Sequence, residues 1–213
     1  MQKIIILGAS GGCLDVLGLL EEINKTNKKY DILGFLDDKI KNIEGVKNYK
    51  ILGKFSEAKN FDNTTCFTTA IGNSINFTKI NKIIKDLKIK KSRFPKLIHP
   101  KAHISKYSKI GYGTIVYQNC TIGINVKIGD FVNILPNTVI NHDCEIGDYC
   151  KLNTMCNLAG SVTIKKSCYI GSGTNIRENV KIGKNNLVGM SSLVLKSFEK
   201  TNLLIYGSPA KEH

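Results

Sequence analysis

The second half of the chain carries a hydrophobic residue at every sixth position. From Ile98 to Val194 this position is always aliphatic, which makes seventeen consecutive repeats in one register. Four residues later the side chain is small or β-branched, with Asn186 and Phe198 as exceptions. A period of six matches neither an α-helix nor a coiled coil, whose periods are about 3.6 and 3.5 residues. It predicts a left-handed parallel β-helix, in which three six-residue sides complete each turn of a triangular coil.

Five of the seven cysteines occupy the small inward position of this repeat, namely Cys120, Cys144, Cys150, Cys156 and Cys168. Cysteine there behaves as a small hydrophobic residue. Stacked interior positions leave no room for a metal ion, so we expect neither a metal site nor a disulfide framework. Glycines directly after the inward aliphatic residue are expected at tight corners, where the backbone takes positive φ. They are Gly111, Gly123, Gly129, Gly147, Gly171, Gly183 and Gly189.

The first third of the chain alternates short apolar strands with helical patterns. A strand at residues 3–8 runs into a glycine turn, and the helix after it has on one face Leu14, Leu17, Leu20 and Ile23. Further strands and one helix are expected near residues 30–36, 49–52, 66–71 and 76–87. Strands joined in this way form a parallel sheet. We therefore predict a small Rossmann-like α/β domain in residues 1–95, followed by the left-handed β-helix domain and a C-terminal tail in residues 96–213.

The predicted strand ends of the first domain gather candidate ligand residues. A glycine turn before a helix presents free N–H groups to an anion, and carboxylates after a second strand can hydrogen-bond ribose or base. Tight packing explains the glycine turn equally well, because its spacing is not the dinucleotide fingerprint. We expect an acceptor or nucleotide site formed by Gly8, Ala9, Ser10, Gly11, Asp37, Asp38, Gly72 and Asn73.

The net charge of +14 raises the question of a nucleic-acid partner. Nearly all the cations are lysines, with Arg93 and Arg177 the only arginines, and they are scattered singly along the chain. This distribution favours a solvated basic surface over nucleic-acid binding, and it suits the attraction of small polyphosphate ligands. No apolar run approaches the roughly 20 residues of a membrane span. The first residues read as a strand and not as a signal peptide, so we expect a cytoplasmic protein.

A short α/β domain before a hexapeptide coil resembles the family of sialic-acid O-acetyltransferases and bacillosamine-type nucleotide-sugar N-acetyltransferases. The shared elements are Gly8-Ala9-Ser10-Gly11, Gly34-Phe35-Leu36-Asp37-Asp38 and the terminal Gly207-Ser208-Pro209-Ala210-Lys211. The resemblance spans nearly the whole chain. It implies an acetyl-CoA-dependent N-acetyltransferase that acts on a nucleotide-linked amino sugar of the 4-amino-4,6-dideoxy type in surface-glycan biosynthesis. It also implies a homotrimer with active sites between adjacent subunits.

The resemblance assigns roles to residues of the coil. His142 is at an outward corner in mid-coil, where the family has its catalytic base, whereas His99 and His103 lie at the coil entry and His213 at the terminus. Asp143 matches the carboxylate that orients the base, with Glu145 as the other candidate. The acyl carrier is expected along a groove between two coils, in contact with Lys151, Ala159, Gly160, Gly171, Ser172, Gly173, Arg177, Lys181 and Lys196.

Three positions depart from the family pattern, and two other functions stay open. The family often has His-Gly where this chain has Gly12-Cys13, a second histidine at Lys151, and asparagine at Leu135. These changes leave the base in place and bear on how the acceptor is held. The alternatives are O-acetylation of a sialic-acid-like sugar and a non-catalytic trimeric β-helix scaffold. For Arg177, Lys181 and Lys196, ordinary surface charge is an equally good explanation.

Overall fold

The computed structural model describes residues 1–39 and 46–213, and it begins with a small α/β domain. A parallel sheet of order β3-β2-β1-β4 forms the centre of this domain. Its elements are β1 (Gln2–Leu7), α1 (Gly12–Thr26), β2 (Tyr30–Leu36), β3 (Ile51–Gly53), β4 (Cys66–Thr69) and α2 (Ile80–Asp86). Three 3₁₀ helices lie at Phe55–Asn60, Phe77–Lys79 and Lys91–Arg93. The predicted parallel α/β fold is therefore confirmed.

Strand β1 is apolar along its length because it is covered on both faces. Ile4 and Ile6 pack with α1, whereas Ile5 and Leu7 pack with α2 on the other side of the sheet. All four side chains are fully buried, and each such burial stabilises the fold by about 1.5–3 kcal/mol. Leu14, which the pattern places on the apolar face of the first helix with Leu17 and Leu20, does not share their burial. It lies in the first turn of α1 and is 47% exposed.

The rest of the chain is a parallel β-helix with three flat faces, as predicted. Except at the C-terminal end of the coil, each two-residue strand pairs with the strand eighteen residues later, for example Ile134 with Leu152. The first face, which we call the docked face, begins with β5 (Leu97–Ile98) and includes β8 (Ile115–Val116), β11 (Asn133–Ile134), β14 (Lys151–Leu152), β17 (Tyr169–Ile170), β20 (Leu187–Val188), β22 (Leu204–Gly207) and β23 (Ala210–Glu212).

Two further faces complete the triangle. The outward side chains of the neutral face include no lysine, arginine or carboxylate, and its one histidine is His103. This face consists of β6 (His103–Ile104), β9 (Thr121–Ile122), β12 (Val139–Ile140), β15 (Asn157–Leu158), β18 (Asn175–Ile176) and β21 (Leu193–Val194). The charged face carries outward lysines and consists of β7 (Lys109–Ile110), β10 (Lys127–Ile128), β13 (Glu145–Ile146), β16 (Thr163–Ile164) and β19 (Lys181–Ile182).

The coil interior is built from the aliphatic residues and the small residues that alternate with them. All seven cysteines of the chain are free and buried. The Cys144 thiol donates to the carbonyl oxygen of Ala159 at 3.1 Å, and burial raises the pKa of that thiol. Cys144 therefore fills space as a neutral group, which agrees with the role predicted for the inward cysteines.

The corners correct one expectation about glycine. The residues with positive φ are not the glycines after the aliphatic position but the residues two places further on, such as Asn125, Asp143 and Ser161. The glycines are needed because successive turns approach closely at those points. A methyl group at Gly147 would lie 2.6 Å from the backbone nitrogen of Lys166 in the next turn.

The first domain packs against the docked face of the coil. Leu97 and Ile115 enter the same hydrophobic cluster as β1 and α1. At the adjoining corner the ring of Phe94 meets Phe131 at 5.0 Å, and Phe131 stacks on Tyr149 at 5.3 Å. This apolar junction fixes the orientation of the two domains, because aromatic rings in contact add to the free energy of burial.

Substitution Gly147→Ala is expected to destabilise the coil by about 1–3 kcal/mol, the usual cost of overpacking a closely packed site. The matched control is Gly18→Ala in α1, where an added methyl group has no neighbour within 4 Å. That control should be neutral or stabilising by up to about 1 kcal/mol, because alanine favours helix. Denaturant unfolding of both variants measures the difference, and equal midpoints would contradict the close-approach explanation.

Candidate functional site

The carboxyl ends of the four parallel strands open into a cavity of about 940 Å³. The strand order reverses between β1 and β4, and the cavity includes the strand ends at this point. Open α/β sheets bind ligands at such a position. The structure gathers there seven of the eight predicted acceptor residues: Gly8, Ser10, Gly11, Asp37, Asp38, Gly72 and Asn73. Helix α2 supplies Asp86 on the far wall, which the sequence analysis did not single out.

Asp37 shapes the glycine turn directly. Its Oδ2 accepts a hydrogen bond from the backbone N–H of Ala9 at 2.7 Å, and its Oδ1 accepts from the N–H of Lys39 at 2.8 Å. Ala9, the eighth predicted acceptor residue, thus takes part through its backbone. Asp38 accepts from the N–H of Phe55 at 2.8 Å. Each oxygen keeps a further lone pair for a ligand hydroxyl, so these carboxylates can both order the loops and bind.

The turn after β4 forms the opposite rim of the cavity. Asn73 Oδ1 accepts from the backbone N–H groups of Ile75 and Asn76, and the N–H of Asn73 donates to Asn76 Oδ1 at 2.8 Å. Gly72 has a φ of +119°, and a side chain there would meet Ile80. The turn is therefore held by local hydrogen bonds and by a glycine that no other residue can easily replace.

Lys151 enters this cavity from the coil. It belongs to β14, and among the described residues that line the cavity it is the only one from the coil. Its Nζ donates to the carbonyl oxygen of Gly72 at 2.8 Å. Burial lowers the pKa of Lys151, and the nearby carboxylate of Asp15 opposes that shift. The sequence analysis expected this lysine beside the acyl carrier. The structure places it at the rim of the cavity at the strand ends, which we call the acceptor cavity because the residues expected to bind the acceptor line it.

His142 lies on the edge that joins the neutral and charged faces, which we call the His142 edge (residues 123–126, 141–144, 159–162 and 177–180). The side chains of His142 and Asp143 are 60% and 50% exposed, and Nδ1 lies 2.9 Å from Oδ2 of Asp143. A carboxylate can only accept, so the proton of a neutral imidazole is on Nδ1. The other nitrogen, Nε2, keeps its lone pair and is available as a base.

Asp143 is held in place from two sides. The hydrogen bond from His142 lowers its pKa most, followed by one from Asn125 Nδ2, which lies 3.2 Å away on the preceding turn. Asp143 also has a φ of +58°, in the left-handed region that asparagine and aspartate tolerate best. The lowered pKa favours the ionised carboxylate, and a carboxylate in this position can stabilise a protonated imidazole.

Gly160 lies on the next turn and makes room for the imidazole. A methyl group at this position would lie 2.5 Å from Cε1 and 2.6 Å from Nε2 of His142. The backbone N–H of the following residue, Ser161, donates to the His142 carbonyl oxygen at 2.9 Å. The glycine therefore permits the ring position that leaves Nε2 open.

The other predicted cofactor residues divide between separate parts of the coil. Ala159 and Arg177 belong to the His142 edge, Lys196 lies just after β21 beyond the last turn of that edge, and Lys181 begins β19 on the charged face. Gly171, Ser172 and Gly173 lie on the edge that joins the docked and neutral faces, which we call the glycine edge (residues 135–138, 153–156, 171–174 and 189–192). Within one chain the neutral face separates the two edges.

The acceptor cavity and His142 also face different sides of a single chain. The first domain covers the docked face, and the His142 edge is the corner opposite that face. The sequence analysis could place the base on an outward corner but not relative to the domain. One signal was present: the outward residues of the docked face are largely uncharged, for example Leu97, Ile115 and Tyr169.

A second cavity of about 600 Å³ lies between α1 and the glycine edge. Leu14, Glu22, Tyr117 and Pro136 contribute to its walls, and Asp15 lines both this cavity and the first one. Burial raises the pKa of the Tyr117 hydroxyl. The sequence analysis missed this cavity because it forms between two elements that are distant along the chain.

Two further properties hold for the part of the chain that the structure describes. No three His, Cys, Asp or Glu side chains lie together as a ligand set for a metal ion. None of the described helices combines the length and the apolar character that crossing a bilayer requires.

Family comparisons agree with this two-part architecture. Residues 3–82 match the family model of the PglD N-terminal domain, and residues 125–160 match that of the bacterial transferase hexapeptide with six repeats. The chain thus joins a region similar to the PglD N-terminal domain to a region similar to the transferase hexapeptide repeats. Both matches occur in the order that the sequence resemblance implied, so that resemblance is confirmed. A search of the curated proteins found no match.

Solved structures with the same two-domain fold include three that align over nearly their whole length. The acetyltransferase domain of PglB from Neisseria gonorrhoeae, in complex with acetyl coenzyme A, is 22% identical with a TM-score of 0.87, covering 100% of this chain and 99% of that one. PerB from Caulobacter crescentus, in complex with CoA and GDP-perosamine, is 23% identical with a TM-score of 0.83, covering 99% and 97%. WeeI from Acinetobacter baumannii is 24% identical with a TM-score of 0.84, covering 100% of both.

Replacement of His142 by alanine is expected to raise the pKa of Asp143 towards its ordinary range, because the hydrogen bond from the imidazole is the main cause of the lowered value. Carboxyl ¹³C chemical shifts followed against pH measure the change. Substitution Asn125→Ala should produce a smaller rise. If His142→Ala left the titration of Asp143 unaltered, the pair would not be coupled as the geometry indicates.

Proposed function

We propose that this chain is an acetyl-CoA-dependent N-acetyltransferase of a nucleotide-linked amino sugar, of the 4-amino-4,6-dideoxy type, in surface-glycan biosynthesis. The observation that carries the proposal is the exposed His142–Asp143 pair, with Nε2 open above Gly160. The fold neighbours support it, since the PglB domain was solved with acetyl coenzyme A and PerB with CoA and GDP-perosamine.

His142 supplies the proton transfers that this reaction needs. Acetyl-CoA brings the acetyl group as a thioester, whose C–S bond breaks as the new C–N bond forms. Nε2 of His142 accepts the proton that the attacking amine loses, and Asp143 stabilises the resulting imidazolium. His142 then returns the proton to the departing thiolate. Asp143 is suited to this role because its lowered pKa keeps it charged throughout.

The nucleotide-sugar is assigned to the cavity of the first domain. The N–H groups of the turn Ser10-Gly11, at the start of α1, are suited to phosphate oxygens. Asp37 and Asp38 have lone pairs for ribose or base groups. The acyl carrier is assigned to the coil, with the bare backbone at Gly160, Gly171 and Gly173 suited to its amides. The cations Arg177, Lys181 and Lys196 are suited to its phosphates.

A homotrimer would bring the two halves of the site together. In one chain His142 points away from the acceptor cavity, so the cavity needs a histidine from a second copy. The neutral face is suited to such contact, because its outward residues include Thr121, Val139 and Leu193 and no lysine or carboxylate. Exposed apolar side chains border it, with Met190 on the glycine edge and Leu195 near the His142 edge. Desolvating such a face costs little compared with a charged one.

The direct test is to offer the purified protein acetyl-CoA with a panel of acceptors and to follow thiol release. The panel contains UDP-, dTDP- and GDP-linked amino sugars together with free sialic acids. Turnover with an amino sugar linked to a nucleotide supports the proposal. Turnover with sialic acids alone would indicate O-acetylation, and no turnover with any acceptor would favour a non-catalytic scaffold.

Substitution His142→Ala is expected to lower kcat by roughly 10²- to 10⁴-fold, the usual contribution of a general base. Asp143→Asn should lower it less, because the base itself remains. The KM for acetyl-CoA should change little in either variant. His213→Ala, at the chain terminus, is the matched control and should retain wild-type turnover. Near-wild-type kcat in His142→Ala would mean that another group takes the proton.

Mixed assemblies test whether the site is shared between copies. Gly11→Leu fills the cavity without clashing with the protein, because an added Cβ there has no neighbour within 4 Å. Assemblies of Gly11→Leu and His142→Ala chains, mixed in equal amounts, should regain about a quarter of wild-type activity if each site uses a cavity and a histidine from neighbouring copies. Without sharing, the mixture stays inactive. Sedimentation of the wild-type chain should give a trimer.

A further inference from the structure

Lys151 is a charged residue on a face that is otherwise uncharged where the first domain packs. Its neighbours in the docked sheet are Asn133 on the preceding turn and Tyr169 on the following one. Tyr169 in turn packs against Phe77 of the first domain, with ring centroids 5.8 Å apart. Burying an ammonium between two domains costs free energy unless a specific interaction offsets it. We therefore expect Lys151 to make a specific interaction with the first domain.

The partner of Lys151 is the rim of the acceptor cavity. Nζ donates to the carbonyl oxygen of Gly72 at 2.8 Å, across 79 positions of sequence. Gly72 precedes the Asn73 turn, in which Asn73 Oδ1 accepts hydrogen bonds from the N–H groups of Ile75 and Asn76. The bond from Lys151 consequently links that turn to the rigid coil.

Lys151 also contributes a positive charge to a cavity that contains several carboxylates. Among the described residues that line it there are four aspartates and two lysines: Asp15, Asp37, Asp38, Asp86, Lys39 and Lys151. Lys39 is exposed, whereas Lys151 is half-buried. An ammonium has three N–H donors, and the bond to Gly72 uses one of them. The remaining donors are available to an anion inside a cavity that also contains the four carboxylates.

We propose that Lys151 is a positioning residue for the acceptor: it fixes the Gly72–Asn73 turn and supplies the inner positive charge for a diphosphate-linked ligand. This inference rests on the proposed function and refines it. It assigns Lys151 to the nucleotide-sugar half of the site and not to the acyl carrier. Its replacement should therefore affect one substrate and spare the other.

The test compares Lys151→Met and Lys151→Arg with Lys109→Met, an exposed lysine on the charged face. Calorimetric binding of UDP, dTDP, GDP and CoA to each protein gives the affinities. For the nucleotide that binds the wild type best, Lys151→Met should weaken binding about tenfold or more, the effect of losing a charge-assisted hydrogen bond. Lys151→Arg should restore much of it, and CoA affinity should not change. In turnover assays the KM for the sugar should rise more than kcat falls.

Hydrogen exchange tests the effect on the turn without any ligand. Amides of residues 72–76 should exchange faster in Lys151→Met than in wild type or Lys109→Met, while those near His142 stay the same. If the turn and nucleotide affinity are both unaltered, or CoA affinity is what falls, the assignment of Lys151 is overturned. If the wild type binds none of the nucleotides, it is the proposed function that fails, and the exchange result still decides whether Lys151 holds the turn.

Discussion

The interior of the coil is narrow, and each side of the triangle contributes to it one aliphatic side chain and one small or β-branched side chain, with Asn186 and Phe198 as exceptions. Successive turns stack at strand spacing, about 4.8 Å, so an oversized residue meets the turn above or below it. This constraint fixes the six-residue period and places cysteine, threonine and valine at the small position. It also explains Gly147, where even a methyl group would approach the next turn too closely. Because inward positions are so restricted, only outward residues of the coil are available to contact ligands.

The apolar junction between the domains determines which corner of the coil the first domain covers and which corner stays exposed. Phe131 and Tyr149 adopt positive φ at their corner, a conformation that costs a residue with a Cβ roughly 1–2 kcal/mol. Their rings stack on each other and Phe131 meets Phe94, and this contact offsets the cost. With the first domain held on the docked face, the His142 edge is left free on the opposite side. The separation of base and cavity within a chain follows from this packing.

The charge of the cavity lining differs in sign from the overall charge of the protein. The chain carries a net charge of +14, yet the described residues that line the cavity include four aspartates and two lysines. Asp37 and Asp38 each accept backbone hydrogen bonds, so part of this negative charge is used to order loops. A scattered basic surface can still draw polyphosphates towards the protein. Inside, the N–H groups of the glycine turn and the ammonium of Lys151 are the groups left to hold them.

Local spacing was enough to predict the β-helix, its register, the parallel sheet and the inward role of the cysteines. It was also enough to predict that His142 lies beside Asp143, since neighbours in sequence at a corner remain neighbours in space. It could not predict that Gly160 lies beneath the imidazole or that Lys151 reaches Gly72. Those contacts join residues 18 and 79 positions apart. They depend on how turns stack and how two domains pack, and no local pattern encodes either.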